Sequence, residues 1–152
     1  MYKEFLEHLE LREGNKECVY LDSLNKPTCG VGHLLTERER QVYKVGDEVS
    51  KEQRDAWLDQ DAAQAWEAAA QQMQVLGIED PHFIVALGSV NFQLGTRWMS
   101  KFPSAYRALK HKDYDEAILQ VSTGSGKDGQ SKWKEQTPVR VDDFVTAIDK
   151  LK

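Results

Sequence analysis

A chain of 152 residues with 40% apolar content, including 4 Trp, 5 Tyr and 5 Phe, has the interior of one domain and no room for a separate binding module. A net charge of −5, a pI near 5.4 and a mean hydropathy of −0.62 exclude a broad nucleic-acid footprint and electrostatic adhesion to an anionic wall or membrane. Recognition must then be local, on a soluble surface.

The chain opens with MYKEFLEHLE, an amphipathic helix in which Tyr2, Phe5, Leu6 and Leu9 recur at helical spacing. It lacks the basic start and apolar block of a secretory signal, and no later run is long enough to span a membrane. Synthesis in the cytoplasm without stable membrane association is therefore expected. Glu13 falls four residues after Leu9, on the apolar side, and Gly14 supplies the stop. A hairpin follows: the run Val19, Tyr20, Leu21, then a turn from Asp22 through Ser23, Leu24, Asn25, Lys26 and Pro27.

Residues 36–49 read as a polar connection. Ser50 with Gln53 forms a capping box for a long helix carrying Trp57, Leu58, Ala62, Ala65, Trp66, Ala69 and Met73 up to Gly77. Asp80 as cap and Pro81 at the first helical position open a buried helix with apolar residues from Phe83 through Leu94, which stops at Gly95. Three shorter helices are predicted, over residues 103–110, 113–121 and 138–151, with a glycine-rich loop at 122–132. The G-S-G-K fragment in that loop lacks the spacing and the Ser or Thr of a phosphate loop, so no nucleotide site is expected. His8, His33, His82 and His111 are scattered and Cys18 and Cys29 flank the hairpin, which predicts no metal, no cofactor and two reduced thiols.

Residues 13–33 read E-G-x5-Y-x-D-x5-T-x-G-x-G-H. Breaking a glycosidic bond requires a proton for the leaving oxygen and a negative group near the developing oxocarbenium ion, and two carboxyls in unlike settings meet both needs. Partial burial and the negative end of the first helix favour the neutral form of Glu13, whereas Asp22 opens a wet turn and is expected to stay ionised. Glu13, Asp22 and Thr28 together make a glycoside hydrolase the leading reading.

The strings L-R-E-G, Y-x-D-S and T-x-G-V-G-H-L-L-T resemble the catalytic segment of phage-type lysozymes, glycoside hydrolase family 24. Asn91 to Gly95 (NFQLG) resembles the F-Q/N-x-G stretch of that family, and Trp133, Gln136, Thr137, Pro138 and Arg140 resemble its W-x-x-Q-T-P-x-R element. The resemblance implies an α+β, mainly helical fold: one domain with a hairpin lobe at about 13–50, a helical lobe of 1–12 plus 51–152, and a cleft between them. It implies Glu13 as general acid, Asp22 as the carboxylate that handles water or stabilises the sugar cation, and Thr28 as the residue that helps place that water. Inversion is favoured. The implied substrate is the β-1,4 bond between N-acetylmuramic acid and N-acetylglucosamine in peptidoglycan, cut by a monomeric endolysin that reaches the wall from the host cytoplasm with the help of a holin, or by the same hydrolase delivered as a tail-associated or secreted antibacterial weapon.

By the same resemblance Tyr20, Gly30 and Gly32 support the site, His33 faces Asp61 as a structural pair, and Arg140 approaches Glu13. Burial and the helix end raise the Glu13 pKa while a guanidinium lowers it, and the sequence does not set the balance. Leu34 is packing or a sugar contact, Phe92 belongs to the core as much as to the cleft, and Gln93 is a candidate partner for an acetamido group. The tryptophans read chiefly as core. Acidic residues are abundant where many family members are basic, which bears on wall affinity and host range. Two rivals use the same residues differently: a lytic transglycosylase, which Asp22 and Thr28 disfavour, and a non-catalytic wall-binding descendant, which the intact triad disfavours.

Overall fold

The computed structural model describes residues 1–124 and 132–152. It is α+β and mainly helical, with two compact units, Tyr2–Gln64 and Met1 with Ala65–Lys152. The first unit begins with α1 (Tyr2–Glu13), which buries Phe5 and Leu9. Gly14 ends it with a φ of +73°, a left-handed conformation that glycine adopts without a Cβ clash, and its N–H donates to the Glu10 carbonyl at 2.9 Å.

The sheet is three-stranded and antiparallel, β1 (Lys16–Leu21), β2 (Pro27–Gly30) and β3 (His33–Leu34), in that order. It therefore extends the expected hairpin by one short strand. Tyr20 pairs with Thr28 and Leu21 with Pro27, while β1 bulges between Lys16 and Tyr20; Thr28 and Cys29 then pair with Leu34 and His33. One face of this sheet buries Val19 and Cys29 with Leu35, Val49 and Trp57. Cys29 is fully buried and Cys18 exposed, both as free thiols. Burial pushes the Cys29 thiol up, against lesser lowering by a Gly30 backbone hydrogen bond and by the Arg54 charge.

The stretch 36–49 is not a plain connection, because α2 (Glu37–Val42) forms inside it. Thr36 and Glu39 make a capping box: the Thr36 hydroxyl accepts from Glu39 N–H at 3.2 Å, and Glu39 Oε1 accepts from Thr36 N–H at 2.8 Å. The T-E-R-E spelling carried this signal. The helix is polar and buries none of its residues, so no apolar stripe announced it.

The long helix α3 (Lys51–Leu76) starts after Ser50, whose hydroxyl accepts from Gln53 N–H at 3.2 Å, and passes through the boundary of the two units. It ends before Gly77, whose carbonyl accepts from Lys112 Nζ at 2.6 Å. In the second unit α4 (Phe83–Leu94) starts two residues later than the sequence suggests. Asp80 does not cap it; its carboxylate instead accepts from His82 N–H at 3.0 Å, forming a turn ahead of the helix. Short α5 (Trp98–Lys101) was not anticipated, whereas α6 (Pro103–Lys110) has the predicted bounds. Helix α7 (Tyr114–Thr123) is capped by Asp113, continuing into what read as loop. The G-S-G-K reading falls largely on residues 125–131, outside the described residues. Unanticipated α8 (Lys132–Gln136) precedes α9 (Pro138–Asp149), which carries Pro at its first position as read.

These helices enclose one core, in which Leu87, Trp98, Leu109, Val121, Val141 and Ile148 are fully buried. Each such aliphatic side chain contributes about 1.5–3 kcal/mol by leaving water. Three polar side chains lie among them with mutual satisfaction. Asn91 and Gln72 exchange amide hydrogen bonds at 2.8 and 2.9 Å, Asn91 Nδ2 also reaches the Leu87 carbonyl, and Trp98 Nε1 donates to Gln72 Oε1 at 3.3 Å. This registers α3 against α4 and α5.

Candidate active site

Glu13 is the last residue of α1 and half-buried. Its carboxyl lies against the turn between β2 and β3. A Cβ built on Gly32 would stand 2.8 Å from Glu13 Oε2 and 3.0 Å from Cδ. A side chain there would push the acid from this position, and the φ of +63° at Gly32 favours glycine on its own account. Gly30 closes β2 opposite Lys16, with the Arg54 stem 3.5 Å from where its Cβ would be.

Asp22 sits in the turn after β1, as its position in D-S-L-N-K-P suggests. One carboxylate oxygen, Oδ1, accepts from Leu24 N–H at 2.8 Å and Lys26 N–H at 2.9 Å, so the turn fixes the side chain. The other oxygen has no hydrogen-bond partner among the described residues and remains available as an acceptor. Thr28 is 5% exposed, and its hydroxyl donates to the Lys26 carbonyl at 2.9 Å. As acceptor that oxygen keeps lone pairs for a water. The turn backbone thus joins Asp22 and Thr28 through Lys26.

Tyr20 lies opposite Thr28 in the ladder. Its phenol is raised above the usual 10.0 first by burial, then by the nearby charges of Glu13 and Asp22, with a smaller effect of Cys29. Both carboxylates thus disfavour ionisation of this phenol. Leu34, opposite Thr28 on β3, is 50% exposed and offers an apolar surface beside them.

Behind this turn His33 is held at both nitrogens. Nδ1 lies 2.6 Å from Asp61 Oδ2, the partner expected from the sequence, and Nε2 lies 2.8 Å from Glu39 Oε1, a partner the sequence reading missed. The ring stacks on Trp57 at 4.4 Å with 14° between planes, and Tyr43 meets Trp57 edge-on. Burial lowers the His33 pKa, but the hydrogen bonds and charges of Asp61 and Glu39 outweigh it, and the net shift is upward from 6.5. Burial raises Glu39, and the Thr36 backbone and His33 bonds reverse that, for a net fall below 4.5.

The remaining expected residues belong to the helical unit. Phe92 and Gln93 are half-buried on α4. The Gln93 amide is engaged at both ends: Nε2 donates to Thr137 Oγ1 at 2.8 Å and Oε1 accepts from Trp133 Nε1 at 3.0 Å. It thus has a structural task, tying α4 to the start of α9 and satisfying a buried indole. Trp133, Trp98 and Trp57 are at most 5% exposed, in keeping with their core reading. Arg140 is 7% exposed and its Nη2 donates to the Ser89 hydroxyl at 2.8 Å and carbonyl at 3.1 Å.

Comparison with known proteins agrees with this architecture. The chain is similar to a protein of Dictyostelium discoideum described as "Probable T4-type lysozyme 2", with 22% identity over 169 aligned residues that cover 98% of this chain and 95% of the relative. The phage lysozyme family model matches residues 10–135, which include Glu13, Asp22, Thr28, His33 and Gln93. A match of that extent, on a mainly helical chain with a small three-stranded antiparallel sheet, means that the chain belongs to the phage lysozyme family and is a peptidoglycan-cleaving glycosidase of lysozyme-like fold.

Proposed function

We propose that the protein is an N-acetylmuramidase that hydrolyses the β-1,4 bond between N-acetylmuramic acid and N-acetylglucosamine. Glu13 donates the proton to the departing glycosidic oxygen, Asp22 orients or stabilises through its open oxygen, and Thr28 helps place the attacking water. Leu34 contributes an apolar contact to the sugar. The reading is supported by the placement of Glu13 against the Gly32 turn, together with the link of Asp22 to Thr28 through the Lys26 backbone. The protein works as a monomeric endolysin, made in the host cytoplasm and admitted to the wall by a holin.

Mass spectrometry of fragments from digested peptidoglycan tests the chemistry. Products ending in a reducing N-acetylmuramic acid support the proposal. A reducing N-acetylglucosamine end would place the cut on the other bond, and an anhydro sugar would make the enzyme a lytic transglycosylase. Expression inside a bacterium with and without a holin tests the delivery: lysis only with the holin is expected, and lysis without one would overturn that part.

A further inference from the structure

Glu39 lies outside the catalytic constellation, yet its carboxylate serves two masters. Oε1 accepts from Thr36 N–H, closing the cap of α2, and faces His33 Nε2 at 2.8 Å. On the opposite edge of the ring Asp61 Oδ2 faces Nδ1 at 2.6 Å. A neutral imidazole carries one N–H and therefore satisfies one carboxylate while pointing a lone pair at the other. Only the imidazolium donates to both.

The residue before His33 is Gly32, the one against which the Glu13 carboxyl rests. We propose that Glu39 is a positioning residue for Glu13: it clamps protonated His33 between α2 and α3, and the clamped ring holds the Gly32 turn in the place that orients the acid. The inference rests on Glu13 being the acid, and it adds a residue and a pH limit to that reading.

The charged and titratable groups around the ring come from every element packed on it. Asp61 reaches it from α3, Glu39 from α2, and the Cys29 thiol stands opposite in the β2–β3 ladder, kept neutral by burial. Glu13 from α1 is one residue removed, at Gly32, and Tyr43 closes the far side of Trp57. The two carboxylates on the ring favour the charged form, and nothing cationic among these opposes it. The clamp is complete when Glu39 is ionised and His33 protonated. Loss on the alkaline side follows His33 alone.

Glu39→Gln is the informative variant, because glutamine keeps the return bond of a capping box while removing the charge. Two readouts are compared with wild type: the NMR titration of the His33 ring together with the Gly32 amide and the Glu13 side-chain carboxyl carbon, and kcat and KM on peptidoglycan as functions of pH. Wild type is expected to show a step in the Gly32 and Glu13 signals at the His33 titration. In the variant that step moves down by about one pH unit, and the ratio of variant to wild-type kcat falls between the two His33 titrations with KM unchanged. Thr36→Ala, which weakens α2 but leaves the Glu39 charge, should leave the step at the wild-type pH. An unmoved His33 titration in Glu39→Gln, or a titration that moves without the Gly32 and Glu13 signals following, would overturn the proposal. Failure of Glu13→Gln to lower activity would instead strike the assignment of the acid, and the NMR arm would still decide whether Glu39 controls the turn.

Discussion

The carboxyl of Glu13 occupies the space in which a side chain at Gly32 would lie, with Oε2 2.8 Å from the ideal Cβ position. The terminal acid of α1 and the β2–β3 turn are thus shaped to one another. Gly32→Ala should lose about 1–2 kcal/mol of stability to the left-handed backbone, and displace the acid by enough to lower kcat on the order of 10²-fold. Thermal unfolding and steady-state turnover of wall fragments check the two parts separately; a folded variant with unchanged kcat would contradict the fit.

His33 sets the alkaline stability. Its folded pKa lies above the ordinary 6.5, so the contribution of the ring is full below that value and disappears as pH climbs through the folded pKa. Glu39, shifted below 4.5, adds a contribution that is full above that value and lost as pH falls through its folded pKa. Asp61→Asn should therefore cost about 1.5–3 kcal/mol in the window between, the usual loss for a hydrogen bond to a charged group. The difference from wild type should shrink on the alkaline side. Denaturant unfolding at a series of pH values checks the sign, and a difference that grows with pH would contradict it.

The site was legible where chemistry dictates spacing. Glu13, Asp22 and Thr28 carry a pattern that few other tasks require, and the glycine that ends α1 follows from local backbone preference, whereas the turn read through Pro27 stops at Lys26 because Pro27 already pairs with Leu21 in β2. Glu39 was not recognised, because a carboxylate among many on a polar helix looks like solvated surface until the fold brings it to His33. Its cap with Thr36 was readable from four residues; its bond to the imidazole depends on tertiary placement. The structural role of Gln93 was also hidden in the sequence. An amide on an apolar helix suggested a ligand contact, whereas Trp133 and Thr137, forty or more residues later, account for both its ends. The start of α4 slipped because Asp80 can bond its own turn as readily as a helix.

Gln93→Leu should lower stability by about 1–3 kcal/mol, since it strands the buried Trp133 N–H, while the Thr137 hydroxyl loses a donor but keeps its own bond to the Trp133 carbonyl. Denaturation midpoints measured at constant slope, with the indole emission followed in parallel, test this. An unchanged midpoint would show that the amide is not needed by the fold.

The thiols should differ in reactivity. Cys18 is exposed, and Cys29 is buried with its thiol pushed up, so a mild aromatic disulfide should titrate Cys18 in the native protein and Cys29 only on unfolding. Prompt modification of both under native conditions would contradict the packing of β2 against Trp57.

Turnover of purified peptidoglycan by Glu13→Gln, with the fold verified by circular dichroism and unfolding, decides whether this acid performs the cleavage. The expected result is a native-like protein whose kcat has fallen on the order of 10²–10⁴-fold, the usual contribution of a positioned general acid. A folded Glu13→Gln protein that clears walls at close to the wild-type rate would contradict the assignment.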